Sequence, residues 1–131
     1  MPLKSDAKIL VVDDMSTMRK IIKNMLNKLG FPNVLEYEDG DPAWKAIQDA
    51  YQTGQPFDFI VSDWNMPGMT GLDLLKNIRA TEVIKKTPFL MVTAEAEQAN
   101  VVIAVKAGVS NFVVKPFSIQ IFKEKLDKIF P

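Results

Sequence analysis

Three aspartate carboxylates, one hydroxyl and one ammonium each stand at the downstream end of a short apolar run. Asp13 and Asp14 follow Ile9-Leu10-Val11-Val12, Asp63 follows the run 57–62, Thr93 follows Phe89-Leu90-Met91-Val92, and Lys115 follows Phe112-Val113-Val114. If these runs are parallel strands, the five side chains gather at the carboxyl edge of one sheet, where open α/β sheets bind ligands. Carboxylates suit a hard divalent cation such as Mg²⁺, while a hydroxyl and an ammonium suit phosphoryl oxygens. A carboxylate is also a competent nucleophile toward phosphorus, and a bound cation offsets the charge of the two reacting groups. The pattern points to magnesium-dependent phosphoryl chemistry.

Singly, each residue has a plainer reading. An aspartate pair can form a turn, Thr93 can cap a helix, and Lys115 can snorkel to solvent. Asp63 is harder to explain this way, because a carboxylate beside a buried strand is costly without a partner. An ammonium facing three carboxylates supplies that partner, so the joint placement carries the reading.

The elements that position these residues alternate between strand and helix. After Asp14, apolar residues at Met18, Ile21, Ile22, Met25, Leu26 and Leu29 mark one helix face, with Ser16 expected as its cap and Gly30 and Pro32 at its end. Residues 33–38 read as a strand. Residues 41–51 read as a helix opened by Asp41 as cap and Pro42 in the first turn. A polar loop at 52–56 leads to the strand ending at Asp63, and a turn-rich loop at 65–71 leads to a helix at 72–80. Pro88 opens the next strand, a helix covers about 97–107 before Gly108, and Ser118 caps a last helix carrying Ile119, Phe122, Leu126, Ile129 and Phe130. This alternation predicts a doubly wound α/β fold, a five-stranded parallel sheet with helices on both faces. The whole of 1–131 reads as one domain with its core at about 8–130, leaving residues 1–7 and the 52–56 loop dispensable.

Composition narrows the options. At 131 residues, 47% hydrophobic and 24% charged, the chain matches an ordinary globular domain. Basic and acidic residues balance at 16 each, which gives no sign of a nucleic-acid or membrane partner. Without cysteine or histidine there is no thiol chemistry, no usual zinc ligand and no phosphohistidine on this chain. No run approaches a membrane span, so a cytoplasmic location is expected.

The segments Val11-Val12-Asp13-Asp14, Ser62-Asp63-Trp64-Asn65-Met66-Pro67-Gly68, Met91-Val92-Thr93-Ala94-Glu95-Ala96 and Val113-Val114-Lys115-Pro116-Phe117 resemble the receiver domain of two-component response regulators, most nearly its CheY-like single-domain chemotaxis members. The strand order 2-1-3-4-5 comes with that resemblance, CheY being a known example of it, and not from the hydrophobic pattern. The resemblance implies that Asp63 accepts a phosphoryl group from a sensor histidine kinase. It implies that Asp14, Asp63 and the Asn65 carbonyl ligate Mg²⁺, with Asp13 acting mainly through a metal-bound water. Thr93 and Lys115 would bind phosphoryl oxygens, Asn65 and Glu95 would border the hydrolytic water, and Lys115–Pro116 would be cis. Phe112 would be the switch residue. The partner surface would comprise Ala96, Val101, Val105, Phe112, Val114, Phe117, Lys125 and Lys128. With the last helix reaching the end of the sequence, output is expected from a monomer through a protein contact such as a flagellar motor switch, with a phosphatase as a further partner.

Two departures bear on that expectation. Phe112 stands where tyrosine is usual, and Ala96-Glu97-Gln98 stands where lysines are usual. Both leave room for a receiver that acts as a phosphate sink or regulates a non-flagellar partner. Among rival classes, a phosphohydrolase of the haloacid dehalogenase type needs a second acid two residues past its nucleophile, where this chain has Asn65. A flavodoxin-like carrier needs a hydroxyl- and glycine-rich phosphate loop, where Asp13-Asp14-Met15-Ser16 would repel the phosphate. A phosphorylation-independent interaction module would have no use for a complete acidic site.

Overall fold

The structure is a computed structural model that describes residues 3–94 and 98–131. Five parallel strands, β1 (Ile9–Val12), β2 (Val34–Tyr37), β3 (Phe59–Asp63), β4 (Phe89–Thr93) and β5 (Asn111–Val114), lie in the order β2-β1-β3-β4-β5. They alternate with α1 (Ser16–Lys28), α2 (Gly40–Gln52), α3 (Gly71–Arg79), α4 (Gln98–Lys106) and α5 (Ile119–Ile129). Every residue of β1, β3 and β4 is buried, which is why these strands read as continuous apolar runs. Side chains alternate across the sheet. Ile9, Val11, Phe59, Val61, Leu90 and Val92 meet Ile22 and Leu26 of α1 and Phe122 and Leu126 of α5. Leu10, Val12, Ile60, Phe89 and Met91 meet Ala43 and Ile47 of α2 and Leu74, Leu75 and Ile78 of α3.

Three sequence expectations need correction. Ser16 does not cap α1. Met15 occupies the N-cap position, and its amide is taken instead by the Asp13 carboxylate, at 2.9 Å. Asp41 does not cap α2. The cap position is Asp39, whose side chain makes no capping bond, and Asp41 lies in the first turn with its carboxylate on the Met69 amide. Residues 3–7 are not a loose lead-in, because Leu3 and Ala7 are buried in the α1/α5 layer of the core. Ser118 caps α5 as expected, accepting from the Ile121 amide. Thr70 and Asp73 close α3 with a reciprocal capping box.

Candidate phosphoryl-transfer site

Strand register builds the site. Ser62 pairs with Val12, Val92 with Asp63, and Val114 with Thr93. Three bonds extend the ladders past the strand ends: the Asp13 amide to the Tyr37 carbonyl, Trp64 to Val92, and Lys115 to Thr93, at 2.8–3.1 Å. Asp13, Asp63, Thr93 and Lys115 are thereby held at one sheet edge by backbone bonds, independently of any ligand.

Asp13 is wholly buried, Asp63 and Thr93 are each 7% exposed, and Asp14 is exposed. The three carboxylates offer oxygens all within 4.8 Å of one another. Lys115 Nζ lies 2.9 Å from Asp13 Oδ2 and 3.4 Å from Asp63 Oδ1. It therefore joins two of the three carboxylates, not all of them as expected. Asp63 Oδ1 also accepts from the Trp64 amide at 2.9 Å. Burial, and then the negative Asp13 beside it, push the Asp63 carboxyl up from 3.8 to about 6, although Lys115 and the Trp64 amide pull the other way. The site thus carries more negative charge than its ammonium balances. Its donors are hard oxygens, and Asp14 opens it to water. This donor set fits Mg²⁺, which takes a few carboxylates and keeps several waters. The Lys115–Pro116 bond is cis, as the resemblance implied.

Asn65 is exposed two residues past Asp63, whereas Glu95 and Ala96 lie outside the described residues. Phe112 is half-buried and separates two spaces. On its inner side is a cavity of about 10 Å³ lined with Trp64, Met91, Thr93, Val101 and Ala104, at the lower limit for one water. On its outer side is a groove of about 310 Å³ lined with Val114, Pro116, Phe117, Ile121 and Lys125. Lys125 Nζ stands 5.4 Å from the Phe112 ring centre. Lys128 is exposed but does not line the groove. Val101 turns inward to the small cavity, so the open apolar positions on α4 are Val102, Ile103 and Val105.

Sequence reasoning missed Arg19. Its guanidinium donates to the Asp13 carbonyl at 2.7 Å and pairs with Glu36 at 3.1 Å, tying α1 and β2 to the loop that carries the aspartate pair. No local signal marks such a residue, because its partners are brought to it by the fold.

The family profile of the response regulator receiver domain matches residues 9–127. Chemotaxis protein CheY-3 of Vibrio cholerae serotype O1 is 53% identical over 128 residues, which cover 98% of this chain and 95% of that protein. Chemotaxis protein CheY of Pseudomonas aeruginosa is 54% identical over 123 residues, covering 94% and 95%. The structure of the chemotaxis response regulator CheY4 of Vibrio cholerae superposes with a TM-score of 0.84 at 33% identity, covering 95% of this chain and 99% of that one.

Proposed function

This chain belongs to the response regulator receiver family, and from that premise we propose that it is a CheY-like chemotaxis regulator phosphorylated on Asp63. The observation that carries this is the buried Asp63 carboxylate, which shares the Lys115 ammonium with Asp13 and lies beside the exposed Asp14. A carboxylate oxygen of Asp63 attacks phosphorus, the bond to the kinase imidazole nitrogen breaks, and an aspartyl phosphate remains. Lys115 and Thr93 bind the transferred oxygens as their charge develops. Asp14, Asp63 and the Asn65 carbonyl would hold Mg²⁺, with Asp13 contributing mainly through water, and the cation would offset negative charge at the reacting centre. Asn65, exposed two residues past Asp63, borders the route of the water that later hydrolyses the acyl phosphate.

No helix among the described residues is long and apolar enough to cross a membrane. A histidine kinase of the chemotaxis type supplies the phosphoryl group in the cytoplasm, and the readout is a flagellar motor-switch protein. Acetyl phosphate with Mg²⁺ should give one adduct by mass spectrometry, stable in acid and labile in base. An adduct that persists in Asp63→Asn overturns the assignment.

The output surface is the groove beyond Phe112 with the neighbouring face of α4. Phe112 touches both the Thr93 cavity and this groove, so a shift of Thr93 toward phosphoryl oxygens changes the space available to the ring. A tyrosine there could lock its inward position with a hydrogen bond contributing about 0.5–1.5 kcal/mol, whereas phenylalanine has packing alone. Beryllofluoride should therefore tighten binding of a motor-switch peptide severalfold more in Phe112→Tyr than in wild type. A larger ratio in wild type would show that the switch does not depend on that hydroxyl.

A further inference from the structure

The loop between Asp63 and α3 is fastened from α2 by a carboxylate that belongs to neither the acidic cluster nor the loop. Asp41, in the first turn of α2, accepts the Met69 amide on Oδ2 at 3.3 Å. The same oxygen lies over Gly68, where an added Cβ would strike it, and Gly68 has φ +69°. Only glycine meets both conditions without strain. Gly40 beside Asp41 is equally confined, since a Cβ there would strike the Met69 carbonyl. At its inner end the loop is closed by the Gly71 amide on the Trp64 carbonyl at 2.9 Å, and a Cβ on Gly71 would strike the Asp63 carbonyl. The segment 64–71 is thus a short loop closed at its base by the Trp64–Gly71 backbone bond and tied to α2 at Met69.

We propose that Asp41 is a positioning residue for the phosphoryl-transfer site: through the Met69 amide and Gly68 it holds the loop that presents the Asn65 carbonyl to Mg²⁺. This rests on the reading of Asn65 as a backbone ligand. Asp41 touches no reacting atom. A one-residue anchor matters here because a backbone carbonyl, unlike a side chain, can be aimed only by fixing the loop it belongs to. A role confined to α2 is the competing account, since an acid in a first turn also favours the helix dipole.

Asp41→Ala and Asp41→Asn separate the two, because asparagine keeps an acceptor for Met69 and loses the charge. Mg²⁺ affinity is measured by calorimetry, and protection of the Met69 amide by hydrogen exchange in the metal-free protein. Asp41→Ala should lose Met69 protection and bind Mg²⁺ about three- to tenfold more weakly, while Asp41→Asn should restore both to within about twofold of wild type. Gly68→Ala, which crowds the same oxygen from the loop side, should weaken Mg²⁺ as Asp41→Ala does. Wild-type affinity in Asp41→Ala, or equal weakening in both Asp41 variants, overturns the proposal. Asp14→Ala serves as the control for the site itself: if it binds Mg²⁺ as wild type does, the metal reading fails and not only the role of Asp41.

Discussion

At pH 7.5 and without divalent metal, Asp63→Asn should be more stable than wild type. The Asp63 carboxyl titrates near 6 in the folded protein against 3.8 as its ordinary value, raised first by burial and then by Asp13. A folded-state pKa above the unfolded value means that the folded protein binds the proton more tightly. Between about pH 4 and 6 the unfolded chain gives up that proton first, so stability falls as pH rises and is lowest above the folded pKa. A shift of this size corresponds to at most about 3 kcal/mol. Asparagine removes the charge while its carbonyl keeps the Trp64 amide bond, but it forfeits the 3.4 Å attraction to Lys115. The net gain should be about 1–3 kcal/mol, read as a higher urea midpoint with an unchanged slope. At pH 5, midway through that window, the gap should be about half as large, and below the ordinary value of 3.8 the two proteins should converge. Saturating Mg²⁺ should also narrow the gap, because a ligand at a hundred times its Kd adds about 2.7 kcal/mol to the protein that binds it. An advantage for Asp63→Asn that is as large at pH 5 as at pH 7.5, or its absence at pH 7.5, would show that Asp63 is not held at an electrostatic cost.

That cost is also why the site is legible in the amino-acid sequence. Asp13, Asp63, Thr93 and Lys115 interrupt apolar runs where burial would otherwise exclude them, and the parallel sheet brings every such interruption to one edge. The fold is readable for a related reason: β1, β3 and β4 are buried on both faces, so their signal is a block of Ile, Leu, Val and Phe that surface demands do not dilute. Helix starts are less legible. Ser16 has the chemistry of a cap, but Asp13 already reaches the Met15 amide. Asp41 has it too, but its acceptor is spent on a loop 28 residues away. In both places a side chain takes a partner that only the tertiary structure supplies. Leu3 gives no signal because a single apolar residue before β1 has no period to reveal it, yet it is 7% exposed. On α4 the run 101–105 is apolar on all sides, so its pattern does not say that Val101 turns inward while Val102 and Ile103 stay open.

Replacing Lys115 with methionine should have the larger effect on the metal-free protein. Methionine keeps much of the stem and removes the ammonium. Asp13, with no exposed surface, then loses its partner at 2.9 Å, and Asp63 loses one at 3.4 Å. Removing one member of a buried ion pair costs about 3–5 kcal/mol, because the remaining charge is stranded rather than because the pair was strong. Lys115 is also one of the groups that lowers the Asp63 carboxyl, so without it that carboxyl moves above its present value near 6. A raised carboxyl again means stability lost as pH rises. The deficit of Lys115→Met should be greatest at pH 7–8 and should shrink as acid protonates Asp63. It should shrink too in the double variant Lys115→Met/Asp63→Asn, with a coupling of about 1–3 kcal/mol between the two positions. A loss under about 1 kcal/mol, or one that ignores pH, would mean that solvent already screens the pair. The same substitution should tighten Mg²⁺ binding, since the cation would meet three carboxylates with no ammonium among them. Lys115 therefore acts in two opposed directions. On this reading it would keep the unmetallated site folded and, by occupying the carboxylates, hold Mg²⁺ affinity down, so that a cation could reach the proposed nucleophile Asp63 without being sealed over it.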